Sequence, residues 1–105
     1  MNSKTADKKF YQEAWEWFEQ QSEDGLVRCA NCDTVLRFSP GCISHILPKS
    51  IYSKWRHELK NVLPMCQGPG SNMCHEKWEF EARKGRIKRE LINYRERLKN
   101  DYHRG

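Results

Sequence analysis

Apolar side chains fall at helical spacing near both ends of this chain and alternate over short runs between them. Over residues 5–23, Phe10, Ala14, Trp17 and Gln21 line up on one face of a helix, and Tyr11, Trp15 and Phe18 form an adjacent stripe. The pattern predicts an N-terminal helix that stops at Asp24-Gly25. So many aromatic rings on one short helix need cover. Packing on the centre of the fold is the expected cover, and a partner protein is the competing one.

From Leu26 to Leu47 the chain reads as short β structure. Val35 to Phe38 is one candidate strand, Ser39-Pro40-Gly41 a turn, and Cys42 to Leu47 a second strand stopped by Pro48. Residues 48–60 read as a loop with one helical turn through Trp55, His57 and Leu59, followed by a short strand from Val62 to Met65. After Gln67-Gly68-Pro69-Gly70, a turn, Ser71 or Asn72 can cap a helix that starts near Met73. Ile87, Leu91, Tyr94, Leu98 and Tyr102 continue a helical stripe, expected to pack on the N-terminal helix, with dimerisation as a competing use. Gly85 marks a place for a kink or break within residues 73–102.

Charge divides the chain. Residues 1–24 carry three lysines against six carboxylates, whereas residues 83–104 carry nine Lys or Arg against three carboxylates. A basic end on a chain of net charge +5 points to a polyanion partner, nucleic acid first. Lys49, Arg83, Lys84, Arg86, Lys88 and Arg89 are the candidate phosphate contacts, with Arg95, Arg97 and Lys99 further along the same helix. No run is long and apolar enough for a membrane span, and charged residues interrupt the start where a signal peptide would need an apolar stretch. The expectation is a cytoplasmic protein of one domain, residues 1–105. It comprises an N-terminal helix (5–23), a metal-binding core (26–80) and a basic C-terminal helix (81–105).

Five cysteines are many for 105 residues. In a reducing compartment paired cysteines are more often metal ligands than disulfides. Cys29-Ala-Asn-Cys32 puts two thiolates on one tight turn, suited to tetrahedral zinc. Cys66 and Cys74 are the natural second pair, with Gly68 to Asn72 looped out between them. Two such pairs around a hairpin, the last cysteine opening a helix, describe a treble clef. Cys42 is left over as a buried free thiol. A four-cysteine cage has no open position, so this zinc is structural.

Between and beside these cysteines lie Ser44-His45-Ile46-Leu47-Pro48-Lys49-Ser50, Asn61-Val62-Leu63-Pro64-Met65-Cys66 and Cys74-His75-Glu76-Lys77-Trp78. Together they resemble the zinc-containing HNH endonucleases, whose core is a ββα-metal motif. The resemblance covers roughly residues 29–80. It implies a zinc-bound ββα core and metal-dependent hydrolysis of DNA; with the flanking N-terminal and C-terminal helices, which periodicity supplies and the resemblance does not, the expected fold is α+β. It further implies that His45 is the general base, that Asn61 orients the loop or approaches the metal, and that His75 binds a catalytic divalent ion such as Mg, Mn, Ni or Zn. Proteins of this kind are common in phages and mobile elements.

Ser44 departs from the family, in which an acidic residue or histidine often precedes the base and ligates the ion. Glu79, four residues after His75 and therefore on the same helix face, is the candidate substitute, ahead of His57 and Glu58. Two other readings stand beside the nuclease: a catalytically inactive zinc-stabilised DNA-binding module, which Ser44 favours, and a protein-interaction module using the aromatic helix. In bland terms, His45 is a strand-end histidine bonded to backbone and Asn61 a turn former.

Overall fold

The structure is a computed structural model that describes residues 3–80 and 87–104. Helix α1 spans Ser3–Gln21. Its exit is held by Asp24, whose carboxylate accepts hydrogen bonds from Ser22 Oγ, the Leu26 amide and the Arg28 guanidinium at 2.6–3.1 Å. Gly25 takes the turn with φ +75, a conformation that costs glycine little.

Strands β1 (Ile43–His45) and β2 (Val62–Pro64) form an antiparallel hairpin that pairs Ile43 with Pro64, Ser44 with Leu63 and His45 with Val62. Backbone bonds from Met65 N to Cys42 O (2.9 Å) and from Ile46 N to Asn61 O (2.8 Å) extend the pairing at both ends. The expected strands were therefore placed correctly, at the length of the ladder. The Val35–Phe38 strand reduces to an isolated bridge between Arg28 and Val35. Val35 and Phe38 stay exposed, so no buried face demands a longer pairing there. The loop between β1 and β2 contains two short 3-10 turns, Ser53–Trp55 and Leu59–Asn61.

Helix α2 spans Cys74–Phe80 and α3 spans Arg89–Arg104. Ile87 and Lys88 are not helical, so the helix expected over 73–102 is two helices. Gly85, where a break was expected, lies outside the described residues.

Two apolar clusters sit on the hairpin. Phe10, Ala14 and Trp15 of α1 bury with Val27, Ile43 and Val62. Trp17, on the expected inner stripe, is exposed. Ile87, Leu91 and Leu98 bury instead with Ile46, Leu47, Tyr52, Met65, Trp78 and the cysteines. The α3 stripe was expected to meet α1; it packs on the cysteine centre and the inter-strand loop. Tyr102 confirms this seat, its ring lying 4.7 Å from Tyr52 and 5.0 Å from Trp55. Each fully buried aliphatic side chain there contributes about 1.5–3 kcal/mol.

Candidate metal centre and adjoining cleft

The ligand sulfurs of Cys29, Cys32, Cys66 and Cys74 all lie within 4.8 Å of one another. Zn–S bonds of about 2.3 Å in a tetrahedron put sulfurs about 3.8 Å apart. Cys32 and Cys66 are already at 3.8 Å. The fit is good, and the four cysteines could hold a metal ion. Among the described residues they are the one group of three or more metal-ligating side chains.

The local backbone explains why the sulfurs converge. Asp33, just after the knuckle, has φ 65, which Asp tolerates better than most residues, and its amide donates to Cys29 O at 2.9 Å. Ala30 N donates to Pro64 O at 2.8 Å and docks the knuckle on the end of β2. His75 N donates to Cys66 O at 2.9 Å and docks α2 beside it. Asn31 then joins three parts of the chain. Its Nδ2 donates to Cys74 Sγ at 3.4 Å, and its Oδ1 accepts from Lys88 N at 2.9 Å, just before α3. Lys88 Nζ lies 3.7 Å from the exposed Asp33 carboxylate as well.

Thiol chemistry is consistent with a cation. Burial pushes Cys29 and Cys74 above the ordinary thiol range. Burial acts to raise Cys32 too, but side-chain hydrogen bonds from Asn72 and Thr34 outweigh it and hold that thiol at about 6. Buried thiolates need a compensating positive charge, which a bound metal ion supplies. Cys42 stands apart from the group. It is buried, its thiol pushed up by desolvation, with Sγ 3.8 Å from the Arg37 carbonyl.

Beside the cysteines lies a cleft of about 700 Å³, lined by Tyr11, His45, Lys49, His75, Trp78 and Arg95 among others. The two histidines singled out in the sequence thus share one cavity. His45 closes β1, and its Nε2 is 2.8 Å from the carbonyl oxygen of Arg56. A carbonyl only accepts, so Nε2 carries the proton and the neutral ring keeps its lone pair on Nδ1. Desolvation pushes His45 below the usual histidine range, which leaves the ring neutral at pH 7. The rings of Phe10 and Tyr11 lie 6.5 and 6.0 Å from it, and Trp78 Nε1 donates to its carbonyl at 3.1 Å.

Ser44 is buried and shares a 2.6 Å hydrogen bond with His75 Nδ1. The alternation of β1 explains the separation of roles: Ile43 and His45 face α1, whereas Ser44 reaches α2. Asn61 is fully buried and bonded entirely to backbone. Its Oδ1 accepts from Leu47 N (2.8 Å), and its Nδ2 donates to Leu47 O (3.2 Å) and Trp55 O (3.3 Å). It therefore holds the loop between the strands.

Several expected contacts fall elsewhere. His57 bonds Asp7 at 2.6 Å, so its ring is committed to α1. Glu58 is exposed, whereas Arg89, exposed at the start of α3, stays open to the expected phosphate contact. Arg83, Lys84 and Arg86 lie outside the described residues, as does the Glu79 side chain. Sequence reasoning missed Asp7, Asn31 and Arg56. Arg95, an expected phosphate contact, lies on the cleft wall, its guanidinium 5.1 Å from the Trp78 ring. The Asn within the Cys-x-x-Cys turn was a usable signal for Asn31. Asp7 offered none, since an acid on a charged helix reads as a solvated residue.

No family model, curated protein or solved structure matches this chain. Among the described residues, no helix is long and apolar enough to cross a membrane.

Proposed function

We propose that the chain is a metal-dependent endonuclease of the HNH type that hydrolyses DNA phosphodiester bonds. The observation that carries this reading is the joint presence of His45 and His75 on one cleft, with His45 held as the tautomer whose Nδ1 is basic. A general base must be neutral at working pH and fixed in orientation, and His45 meets both conditions. In the proposed reaction Nδ1 takes a proton from water, the water oxygen attacks the scissile phosphorus, and the bond to the leaving sugar oxygen breaks; that oxygen takes up a proton from solvent, and His45 returns its proton to solvent. Asn61 keeps the loop in register, and Lys49 and Arg95 on the cleft walls meet the phosphate backbone.

Two metals belong to this reading. A structural zinc is held by Cys29, Cys32, Cys66 and Cys74 in a treble-clef arrangement. His75, with Glu79 as the proposed second ligand, would hold a catalytic divalent ion, which would supply charge stabilisation to the phosphate and the leaving oxygen. The protein acts in the cytoplasm, on duplex DNA, with affinity resting mainly on phosphate contacts.

The rival reading is a DNA-binding module without catalysis. Ser44 favours it, because a serine hydroxyl bonded to His75 is a weaker metal ligand than a carboxylate. A plasmid assay separates the two. Supercoiled DNA incubated with the protein and magnesium, manganese, nickel or zinc should be nicked or linearised, and EDTA should stop it. Salt-sensitive DNA binding without cleavage under every ion would favour the rival.

A further inference from the structure

We propose that Asp7 of α1 is a positioning residue for His45 and acts through Arg56, an inference that rests on His45 being the general base. The acceptor that fixes the His45 tautomer is the backbone carbonyl of Arg56, in the loop between the strands. A carbonyl in such a loop points where its neighbours hold it. Asn61 pins one side, at the Trp55 carbonyl. Asp7 pins the other, from a helix outside the motif that carries the histidines.

The Asp7 carboxylate uses both oxygens. Oδ1 accepts from Arg56 Nε at 2.9 Å and from His57 Nε2 at 2.6 Å, and Oδ2 accepts from Arg56 Nη2 at 2.7 Å. A two-point bond to a planar guanidinium fixes orientation as well as distance. Lys49 Nζ adds a second cation at 3.7 Å from Oδ2. Asp7 is buried while Arg56 is partly exposed, so the carboxylate is the fixed end and the arginine the part that is held. The Arg56 hydrogen bonds, reinforced by His57 and Lys49, hold Asp7 ionised far below the usual carboxylate range.

Helical spacing completes the device. Residues three and four after Asp7 share its face of α1, and these are Phe10 and Tyr11. Their rings lie beside His45, and that of Phe10 also beside His57 at 5.2 Å. One face of α1 thus packs the base directly and secures the carbonyl that orients it. A salt bridge that merely tied α1 to the hairpin would need no connection to the His45 acceptor.

The test compares Asp7→Asn, Arg56→Ala, the double variant and Asp24→Asn, all as full-length metal-loaded protein. Asp24→Asn breaks an exposed ion pair with Arg28, neither residue lining the cleft, and serves as the control. Steady-state cleavage should show kcat down about ten- to a hundredfold in Asp7→Asn with KM nearly unchanged. Arg56→Ala should match it, and the double variant should be no worse than either single one. The ¹⁵N spectrum of the His45 ring should shift from the single Nε2–H tautomer to a mixture in the same three variants and not in Asp24→Asn. A folded Asp7→Asn protein with the wild-type tautomer would overturn the proposal, as would fully additive losses. Should the wild type cleave no DNA, the nuclease reading fails separately, and the ring spectrum still decides whether Asp7 positions His45. Should Asp7→Asn fail to fold, Arg56→Ala carries the same comparison.

Discussion

Ser44 Oγ and His75 Nδ1 lie 2.6 Å apart, joining the centre of β1 to the first turn of α2. A hydroxyl thus occupies the position at which the proposed nuclease reading calls for a stronger metal ligand. Ser44→Asp should restore a carboxylate there. The site is buried, so in metal-free buffer an ionised Asp should destabilise the protein by about 3–5 kcal/mol. Added manganese should recover most of that loss. Thermal melts with and without the ion, compared against wild type, measure the recovery.

The cysteine group carries a second expectation. Cys66→Ser should lower bound zinc below one equivalent and lower the melting temperature, because metal binding and folding are coupled. Cys42→Ser, outside the group, should keep full zinc content. Elemental analysis of the purified variants, with circular dichroism, checks both.

Asn61 offers a stability test independent of metal. Asn61→Ala would leave the Leu47 amide and carbonyl without partners in a buried loop. A loss of about 2–4 kcal/mol is expected, read from denaturant unfolding.

The pH dependence follows from His45. Desolvation holds its folded pKa below the ordinary value of 6.5. Near and below that value the unfolded chain binds the proton more readily than the folded one. The neutral ring therefore contributes its full stability above the unfolded pKa and loses it as pH falls through the folded pKa. Melting temperature should fall between about pH 7 and pH 5, and His45→Gln should flatten that part of the profile.

The sequence foretold most where chemistry restricts geometry. Four thiols that must reach one ion, and histidines placed among them, were legible because spacing and residue type together admit few arrangements. Periodicity was less informative about contacts. It marked Leu91 and Leu98 as buried, but a stripe says which face is covered and not what covers it; the cover is the cysteine centre and not α1. Short β elements depend on tertiary pairing, so Ile43–His45 was visible from its apolar run while Val35–Phe38 shrank to one bridge. Asp7 was illegible because its partners lie about fifty residues away, and long-range ion pairs leave no local pattern.

If His45 is the general base, loss of its ring must slow cleavage. Single-turnover cleavage of a labelled duplex by wild type and His45→Ala, at matched zinc content and with the ion that best supports plasmid cleavage, tests it most directly. A rate lower by about a hundredfold or more in the variant, with DNA binding retained, is the predicted result. Equal rates for the two proteins would contradict the account.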